Sequence, residues 1–344
     1  METVLIYGDV FLEHEPREYH PENPSRLRIA MSALENAGIL ERVEVVEPRQ
    51  CSVEDLRMVH DPDYIELVRR LSERGYTYLD SDTYVSPGTW RAALHAVGSL
   101  IEAAEESLEG AAIMVLCRPP GHHAGVAGRA LGAPTLGFCI FNNIAAAAKH
   151  LVERRRVSPV LIVDIDLHHG NGTQEVFWED PRVYHVDLHE WGIYPGTGWI
   201  TDVGEGEGEG TKINIALYHG VDEDDYAYIW RELVEPLIHS VKPRAIGVSA
   251  GFDAFENDFT GTTALRERIY RFIGASLARL AREMGTGLFI ALEGGYSYGL
   301  SRGLPAFIEG ILSEEVEESF GEPSSRAREL VEKVRKVVSR YIAL

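Results

Sequence analysis

The residues with the clearest chemical potential stand in the segment Val160–Asn171, which reads VLIVDIDLHHGN. Four apolar residues open it and predict a buried strand, after which Asp164, Asp166 and His168 follow at alternate positions. Because side chains alternate between the two faces of a strand, we expect these three to point the same way. Two carboxylates buried side by side would cost several kcal/mol or take up a proton, and a bound cation removes that cost.

A further carboxylate, Asp253, follows another predicted strand in the segment SAGFDAFEND. With Asp166 and His168 it would supply three protein ligands and leave one position open for water or substrate, as catalytic zinc sites do. The same ligand types also suit iron or cobalt. The structural alternative, an Asp that caps a helix beside a core histidine, explains the complete pattern less well.

Two further segments could supply acid–base and oxyanion groups. The segment RPPGHHAG carries the adjacent pair His122 and His123, and amide hydrolysis needs one group to activate water and one to protonate the departing amine. In EGGYSYG, paired glycines would let Tyr296 reach the site, where its hydroxyl could stabilise an oxyanion opposite a metal. A glycine turn that carries a surface tyrosine is an equally good interpretation of this second segment.

The elements that must position these residues alternate between strand-like apolar runs and helical patterns, which predicts an α/β fold with an open parallel sheet flanked by helices. Strands are predicted over Val4–Tyr7, Ala112–Cys117, Val160–Leu167, Val183–Leu188, Ile213–Leu217, Ala245–Ser249 and Leu288–Leu292. Helices are predicted over Arg26–Ala37, Pro62–Arg70, Thr89–Leu108, Ile144–Arg155, Asp224–His239, Ala264–Met284 and Arg326–Tyr341. With no linker in view, we predict a single domain over residues 1–344, whose C-terminal helix, at about 324–342, packs outside the sheet.

Composition excludes some classes of function. The chain has 344 residues and a formal net charge of −21, which argues against nucleic-acid binding because a phosphate backbone would be repelled. The acidity is compatible with cationic substrates, although solubility alone explains it. The first ten residues lack the features of a signal peptide, and no apolar run is long enough to span a bilayer. Three widely spaced cysteines form no CxxC pair. These features together predict a cytoplasmic protein.

Seven segments, taken in chain order, resemble the histone deacetylase family, and in particular its class II-like branch within the arginase/deacetylase superfamily. They are HPENPSR (20–26), RPPGHHA, GFCIFNN, DIDLHHGNGTQ, PGTG, SAGFDA and LEGGY. The resemblance covers nearly the whole chain and implies the arginase/deacetylase fold. It also implies one catalytic Zn²⁺ held by Asp166, His168 and Asp253, and hydrolysis of an N-acetyl amide to acetate and free amine.

The resemblance implies roles for the residues around that metal. His123 would be the general base and then the general acid, with His122 as its electrostatic partner. Tyr296 would polarise the acetyl carbonyl and hold the oxyanion. Asp164 would orient His122 and help to form a structural potassium (K⁺) site, and Asn171 would face His123.

The resemblance also implies a tunnel for the acylated substrate. Phe138 and Tyr194 would line it, Gly137 would offer its carbonyl to the substrate, and Asp82 would grip the substrate backbone at the rim. Tyr194 departs from the phenylalanine that is commoner in the family, and so adds a hydroxyl to the tunnel wall.

Two further departures concern the ions and the substrate. Asp187 stands where many members have a serine near potassium, so monovalent-cation binding could differ. Thr260 stands where polyamine-selective relatives place a glutamate, which weakens the prediction of an acetylpolyamine substrate.

The function predicted from the sequence is therefore a zinc-dependent amidohydrolase that acts on acetyl-lysine or a similar acetylated amine. An acetylpolyamine amidohydrolase or another small-molecule N-deacetylase is the first alternative. A manganese ureohydrolase would need a second set of carboxylates, whereas Asp253 is followed by Ala254 and Phe255. A non-catalytic protein that binds acyl ligands is a third possibility. The sequence predicts neither the physiological substrate nor the oligomeric state.

Overall fold

The computed structural model describes residues 1–313 and 319–344, and an eight-stranded parallel sheet forms its centre. The strands of the described chain are β1 (Thr3–Ile6), β2 (Glu44–Val46), β3 (Thr77–Tyr78), β4 (Tyr84–Val85), β5 (Ala112–Val115), β6 (Ala124–Gly125), β7 (Gly128–Arg129), β8 (Val160–Asp164), β9 (Val183–Glu190), β10 (Lys212–Leu217), β11 (Ala245–Ala250) and β12 (Leu288–Leu292). The order across the sheet is β10-β9-β8-β11-β12-β5-β1-β2, and every neighbouring pair is parallel. The predicted fold class is confirmed.

Helices cover the sheet and bury its central strands. They are α1 (Ser25–Asn36), α2 (Val53–Leu56), α3 (Pro62–Arg74), α4 (Thr89–Ser107), α5 (Asn143–Glu153), α6 (Asn171–Val176), α7 (Glu223–Ile229), α8 (Glu235–Val241), α9 (Glu267–Met284), α10 (Leu304–Leu312) and α11 (Ser325–Val338). All residues of β5, β8, β11 and β12 are buried, as expected when helices cover both faces of a parallel sheet.

The C-terminal helix α11 packs against strand β10 and helix α7. It buries one apolar stripe, formed by Leu330, Val331, Val334 and Val338, and leaves its basic residues toward solvent, as its sequence pattern predicts. The single-domain organisation stays a prediction. Among the described helices, none is long and apolar enough to cross a membrane.

The strand β2 was not predicted, because it is short and lies at the edge of the sheet. Its residues Glu44 and Val45 are exposed and Val46 is only half-buried, so the segment lacks the apolar run that marks the central strands. It pairs in parallel with β1. Strands at the edge of a sheet bury fewer side chains, and their sequences therefore carry a weaker signal.

Two predicted helices differ from the structure, one in its geometry and one in the residue at which it begins. The helix predicted over Asp224–His239 contains a wider turn at Trp230–Val234, which ends two residues before Pro236, a residue that has no N–H to donate. The helix predicted to begin at Ala264 begins at Glu267. Ala264 N donates instead to Val221 O at 3.0 Å, which keeps this stretch extended.

Candidate active site

The segment that follows β8 leaves the sheet earlier than the sequence predicts. The strand ends at Asp164 instead of Leu167. Ile165 N still donates to Ser249 O, but side-chain carboxylates take the two backbone N–H groups that follow. Asp166 N donates to Asp164 Oδ1 at 3.1 Å, and Leu167 N donates to Asp253 Oδ1 at 3.0 Å. The prediction that Asp164, Asp166 and His168 share one face of a strand was therefore wrong. A coiled segment after the strand brings Asp166 and His168 together, whereas the side chain of Asp164 lies outside this pair.

Asp166, His168 and Asp253 converge as a candidate metal site. His168 Nδ1 lies 3.2 Å from Asp166 Oδ1 and 3.0 Å from Asp253 Oδ2. Burial, and then the charge of Asp166, raise the pKa of Asp253 to about 6. Two buried carboxylates and an imidazole at these separations fit a transition-metal dication in their chemistry. Such an ion would also compensate the carboxylate charge.

Two glycines make room for this carboxylate pair. A Cβ atom at Gly251 would lie 2.1 Å from Asp166 Oδ2, and a Cβ atom at Gly294 would lie 2.3 Å from Asp253 Oδ2. Gly294 N also donates to Asp166 Oδ2 at 2.8 Å. The backbone must therefore pass so close to the carboxylates that no side chain fits at either position.

The two histidines differ in the groups that face their Nδ1 atoms. His122 Nδ1 lies 2.9 Å from Asp164 Oδ2, whereas His123 Nδ1 lies 2.8 Å from Asn171 Oδ1. Burial alone would lower the pKa of His122, but the carboxylates of Asp164, Asp166 and Glu293 raise it well above its usual value. Burial lowers the pKa of His123, and the charges of His122 and His168 lower it further. The surroundings of His122 therefore favour its charged form, and those of His123 favour its neutral form.

The loop that carries the histidines is held from behind by Glu293, at the end of β12. Its Oε2 atom accepts the N–H of Gly121 at 2.8 Å and that of His122 at 3.2 Å. The side chain is fully buried, and burial raises its pKa to about 7. The sequence analysis missed this residue, although its place in LEGGY, beside Tyr296, marks it as a charged residue at the end of an apolar strand.

A buried ion network behind the site was also missed. Glu22 Oε2 accepts a hydrogen bond from Arg118 Nη2 at 2.7 Å, and Glu22 Oε1 accepts one from Arg26 Nη1 at 3.2 Å. Arg26 also donates to Gly295 O at 2.9 Å and to Glu293 O. The network therefore joins the loop before His122 to the glycine loop before Tyr296. The segments HPENPSR and RPPGHHA contain its three charged side chains, but nothing in the sequence pairs them.

The structure places Tyr296 beside the predicted tunnel rather than on a separate surface. Its ring centroid lies 5.7 Å from that of Phe138, and the Arg26 guanidinium carbon lies 4.7 Å from the tyrosine ring centroid. Tyr296 N donates to Asp258 Oδ2 at 3.0 Å. The backbone of the tyrosine is thus tied to the loop that follows Asp253, while paired glycines precede it.

Gly137 and Tyr194 form a tight wall against His123. The ring of Tyr194 lies 5.0 Å from that of His123, and Tyr194 Oη donates to Thr135 O at 3.0 Å. Gly137 has a φ angle of 53°, and a Cβ atom there would lie 2.6 Å from His123 Cδ2. A side chain at this position would therefore collide with the rings of His123 and Tyr194.

The carboxylate of Asp82 is held by two hydroxyl groups. Thr83 Oγ1 donates to Asp82 Oδ1 at 2.7 Å, and Thr135 Oγ1 donates to Asp82 Oδ2 at 2.5 Å. Phe138 N donates to Thr83 Oγ1 at 3.1 Å, so Asp82 is joined to the predicted tunnel wall through the Thr83 hydroxyl. Burial raises the pKa of Asp82.

Beyond Asp164 lies a second buried group, formed with His185 and Asp187. This group bears on the predicted potassium site, because Asp187 stands where the family resemblance places a serine near potassium. Asp187 Oδ1 accepts from His189 Nδ1 at 2.7 Å, and Asp187 Oδ2 accepts from Gly170 N at 2.8 Å. The imidazole of His185 faces both carboxylates. Potassium prefers oxygen donors, so an imidazole nitrogen at this place does not fit it well.

Comparisons with known proteins show the family. Residues 20–311 match the histone deacetylase domain. The chain is 40% identical to an uncharacterized protein of Methanocaldococcus jannaschii (98% of this chain, 97% of the relative) and 37% identical to a probable deacetylase of Archaeoglobus fulgidus (86% and 82%). The crystal structure of the HDA15 HD domain superposes with a TM-score of 0.88 at 33% identity, covering 99% of this chain and 95% of that one. The chain belongs to the histone deacetylase family.

Proposed function

We propose that this protein is a zinc-dependent deacetylase that hydrolyses the N-acetyl amide of acetyl-lysine, or of a similar acetylated amine, to acetate and free amine. Membership of the histone deacetylase family supports the deacetylase activity and an acetylated substrate. The observation that carries the proposal is the position of His123 beside the ligand set of Asp166, His168 and Asp253. Its ring centroid lies 6.0 Å from that of His168.

Asp166, His168 and Asp253 would hold the zinc ion, which would lower the pKa of water and polarise the acetyl carbonyl. His123 is oriented to receive a proton at Nε2. An amide oxygen only accepts hydrogen bonds, so Asn171 Oδ1 requires a proton on Nδ1 of His123. Asn171 Nδ2 donates to Ala130 O at 3.0 Å, which fixes the orientation of the amide.

The groups around His123 support the later steps. The surroundings of His122 favour its charged form, and that charge would favour the loss of a proton from His123 to the departing amine. Tyr296, beside Phe138, would donate its hydroxyl hydrogen to the oxyanion. Gly137 lies so close to His123 and Tyr194 that a side chain there would displace them, and its carbonyl would be offered to the substrate.

The rim favours acetyl-lysine over an acetylpolyamine. Thr260 Oγ1 donates to Asp258 Oδ1 at 2.8 Å, and Asp258 is itself buried and accepts from Tyr296 N. Thr260 has no carboxylate and that of Asp258 is buried, so neither residue presents an exposed carboxylate to a polyamine ammonium group. An acetylpolyamine or another small acetylated amine stays the alternative substrate, and the cytoplasmic location stays a prediction from the sequence.

The test is acetate release by zinc-reconstituted protein, with an acetyl-lysine peptide and an acetylated polyamine compared at equal concentrations. We expect turnover of the peptide, with its loss in Asp253→Asn and its retention in Asp63→Asn, which changes an exposed carboxylate of helix α3. Faster turnover of the polyamine would reassign the substrate. Zinc-loaded protein that releases acetate from neither would contradict the proposal.

A further inference from the structure

A second cluster of ligating side chains lies between strands β8 and β9, outside the candidate zinc site. Asp164, His185 and Asp187 are all buried, and one ligating atom from each lies within 4.8 Å of the others. His185 is the unusual member. Within the described parts of the chain, neither of its ring nitrogens has a hydrogen-bond partner, although its side chain is only 1% exposed. A buried polar group without a partner is costly, which points to a partner of another kind.

The separations in this cluster are those of atoms that share an ion. His185 Nε2 lies 3.5 Å from Asp187 Oδ2 and 3.9 Å from Asp164 Oδ2. Both separations exceed the usual length of an N–H···O hydrogen bond. Two ligand atoms that each lie about 2.1 Å from one ion are about 3 to 3.5 Å apart, so a small contraction would bring all three groups onto one metal.

The two carboxylates still have capacity for a metal. Asp164 Oδ2 accepts from His122 Nδ1, and Asp187 Oδ2 accepts from Gly170 N. Each carboxylate oxygen has a second lone pair, so these hydrogen bonds can persist while the oxygen ligates an ion. A Cβ atom at Gly170 would lie 2.4 Å from Asp164 Oδ2 and 3.2 Å from Asp187 Oδ2, so the glycine keeps this space free.

We propose that Asp164, His185 and Asp187 bind a second metal ion, a transition-metal dication such as Zn²⁺, in place of the potassium ion that the family resemblance implies. An imidazole with two carboxylates is a ligand set for zinc, iron or cobalt, whereas potassium is bound by oxygen atoms. A dication also neutralises the negative charge of the two carboxylates, which are both removed from water.

This second ion would act on the active site through Asp164. Asp164 Oδ1 accepts the N–H of Asp166, and Asp164 Oδ2 accepts from His122 Nδ1. A metal on Asp164 and Asp187 fastens the end of β8 to β9 and so fixes the carboxylate that orients His122. The three ligands are thus positioning residues, and metal binding is their direct readout.

Metal analysis of the full chain tests this proposal without using activity. Protein stripped with a chelator is reloaded with Zn²⁺ in a potassium-containing buffer, separated from free ions, and analysed by mass spectrometry for zinc and potassium. We expect two zinc ions per chain in the unaltered protein and one in Asp187→Ser, which introduces the residue that many family members carry. His185→Phe, which keeps a planar ring, is also expected to hold one. Circular dichroism checks that each variant folds. If His185→Phe does not fold, Asp187→Ser alone tests the proposal.

The catalytic ligands provide the matched comparison. Asp253→Asn is expected to lose the zinc of the candidate active site and keep the second ion, and the double variant Asp187→Ser/Asp253→Asn is expected to hold none. Two zinc ions without acetate release would sustain this inference while contradicting the proposed function. A single zinc ion that Asp187→Ser retains would overturn the inference. A potassium ion that is bound in the unaltered protein and lost in Asp187→Ser would also overturn the inference.

Discussion

Asn171 presents its side-chain oxygen to His123 Nδ1 at 2.8 Å, where the neighbouring His122 has the carboxylate of Asp164 at 2.9 Å. The two imidazoles have ring centroids only 4.0 Å apart, yet their partners differ by a full charge. A carboxylate stabilises an imidazolium and a neutral amide does so much less. We therefore expect His122 to keep its proton and His123 to be free to take one.

Replacement of Asn171 by aspartate tests this division. The added carboxylate would stabilise the protonated form of His123 and raise its pKa. The neutral base would then form only at higher pH, so the acid limb of the pH profile of kcat/KM should move upward by about one unit or more. Asn36→Asp, on the exposed end of helix α1, serves as the control. An acid limb that stays in place in Asn171→Asp would show that His123 is not the titrating base.

The hydroxyl of Tyr296 can be removed without changing the shape of its ring. Tyr296→Phe should lower kcat by about a hundredfold or more and leave KM nearly unchanged, because the lost hydrogen bond forms mainly to the oxyanion. Tyr298→Phe is the matched control, since that tyrosine lies two residues further on and is 57% exposed. Steady-state acetate release measures both variants. Full activity in Tyr296→Phe would remove the tyrosine from the mechanism.

The sequence predicted that the three proposed ligands converge, because they follow apolar strands and strand ends meet at one edge of a parallel sheet. Asp166, His168 and Asp253 converge as expected, although the reason given for Asp164 was wrong. Hydrogen bonds from backbone N–H groups to the carboxylates ended the strand early. Such competition between side chain and sheet depends on tertiary contacts, including that of Asp253, so alternation alone does not predict it.

The supporting charges could not be predicted, since they come from distant segments. Glu22 and Arg118 are separated by 96 positions and meet only in the folded chain. In the sequence, His185 is indistinguishable from any other residue of a predicted strand. Its contact with Asp164 depends on the register of β8 and β9, in which Asp164 is paired with Asp187. A single sequence contains no information on which charged residues pair across a sheet.

The ion network around Glu22 makes a prediction about stability. Glu22 and Arg118 are both 0% exposed, and Arg26 also bonds to Glu22. Glu22→Gln would leave two buried guanidinium groups without their carboxylate, which should lower the free energy of unfolding by about 3 to 5 kcal/mol. The control is Glu309→Gln, because its pair with Arg42 is partly exposed and should contribute about 1 kcal/mol or less. Denaturant unfolding measures both, and equal losses would contradict the assignment of a buried network.

Lys212 gives a prediction about the pH dependence of stability. Its ammonium group is buried at the start of β10 and donates to Val183 O at 2.9 Å. Burial lowers the pKa of Lys212 to about 7, whereas an unfolded lysine titrates near 10.4. Between these values the unfolded chain binds more protons than the folded one, so stability must rise with pH in this window.

Comparison with Lys212→Met isolates this effect, because the other titrating groups cancel in the difference. From pH 7 to pH 9 the unaltered protein should gain about 2 kcal/mol of unfolding free energy relative to Lys212→Met. Lys336→Met, which removes an exposed lysine of helix α11, should show no such gain. Unfolding in urea at the two pH values provides the measurement. A difference that stays constant with pH would mean that Lys212 keeps its proton in the folded chain, held by the carbonyl groups around it.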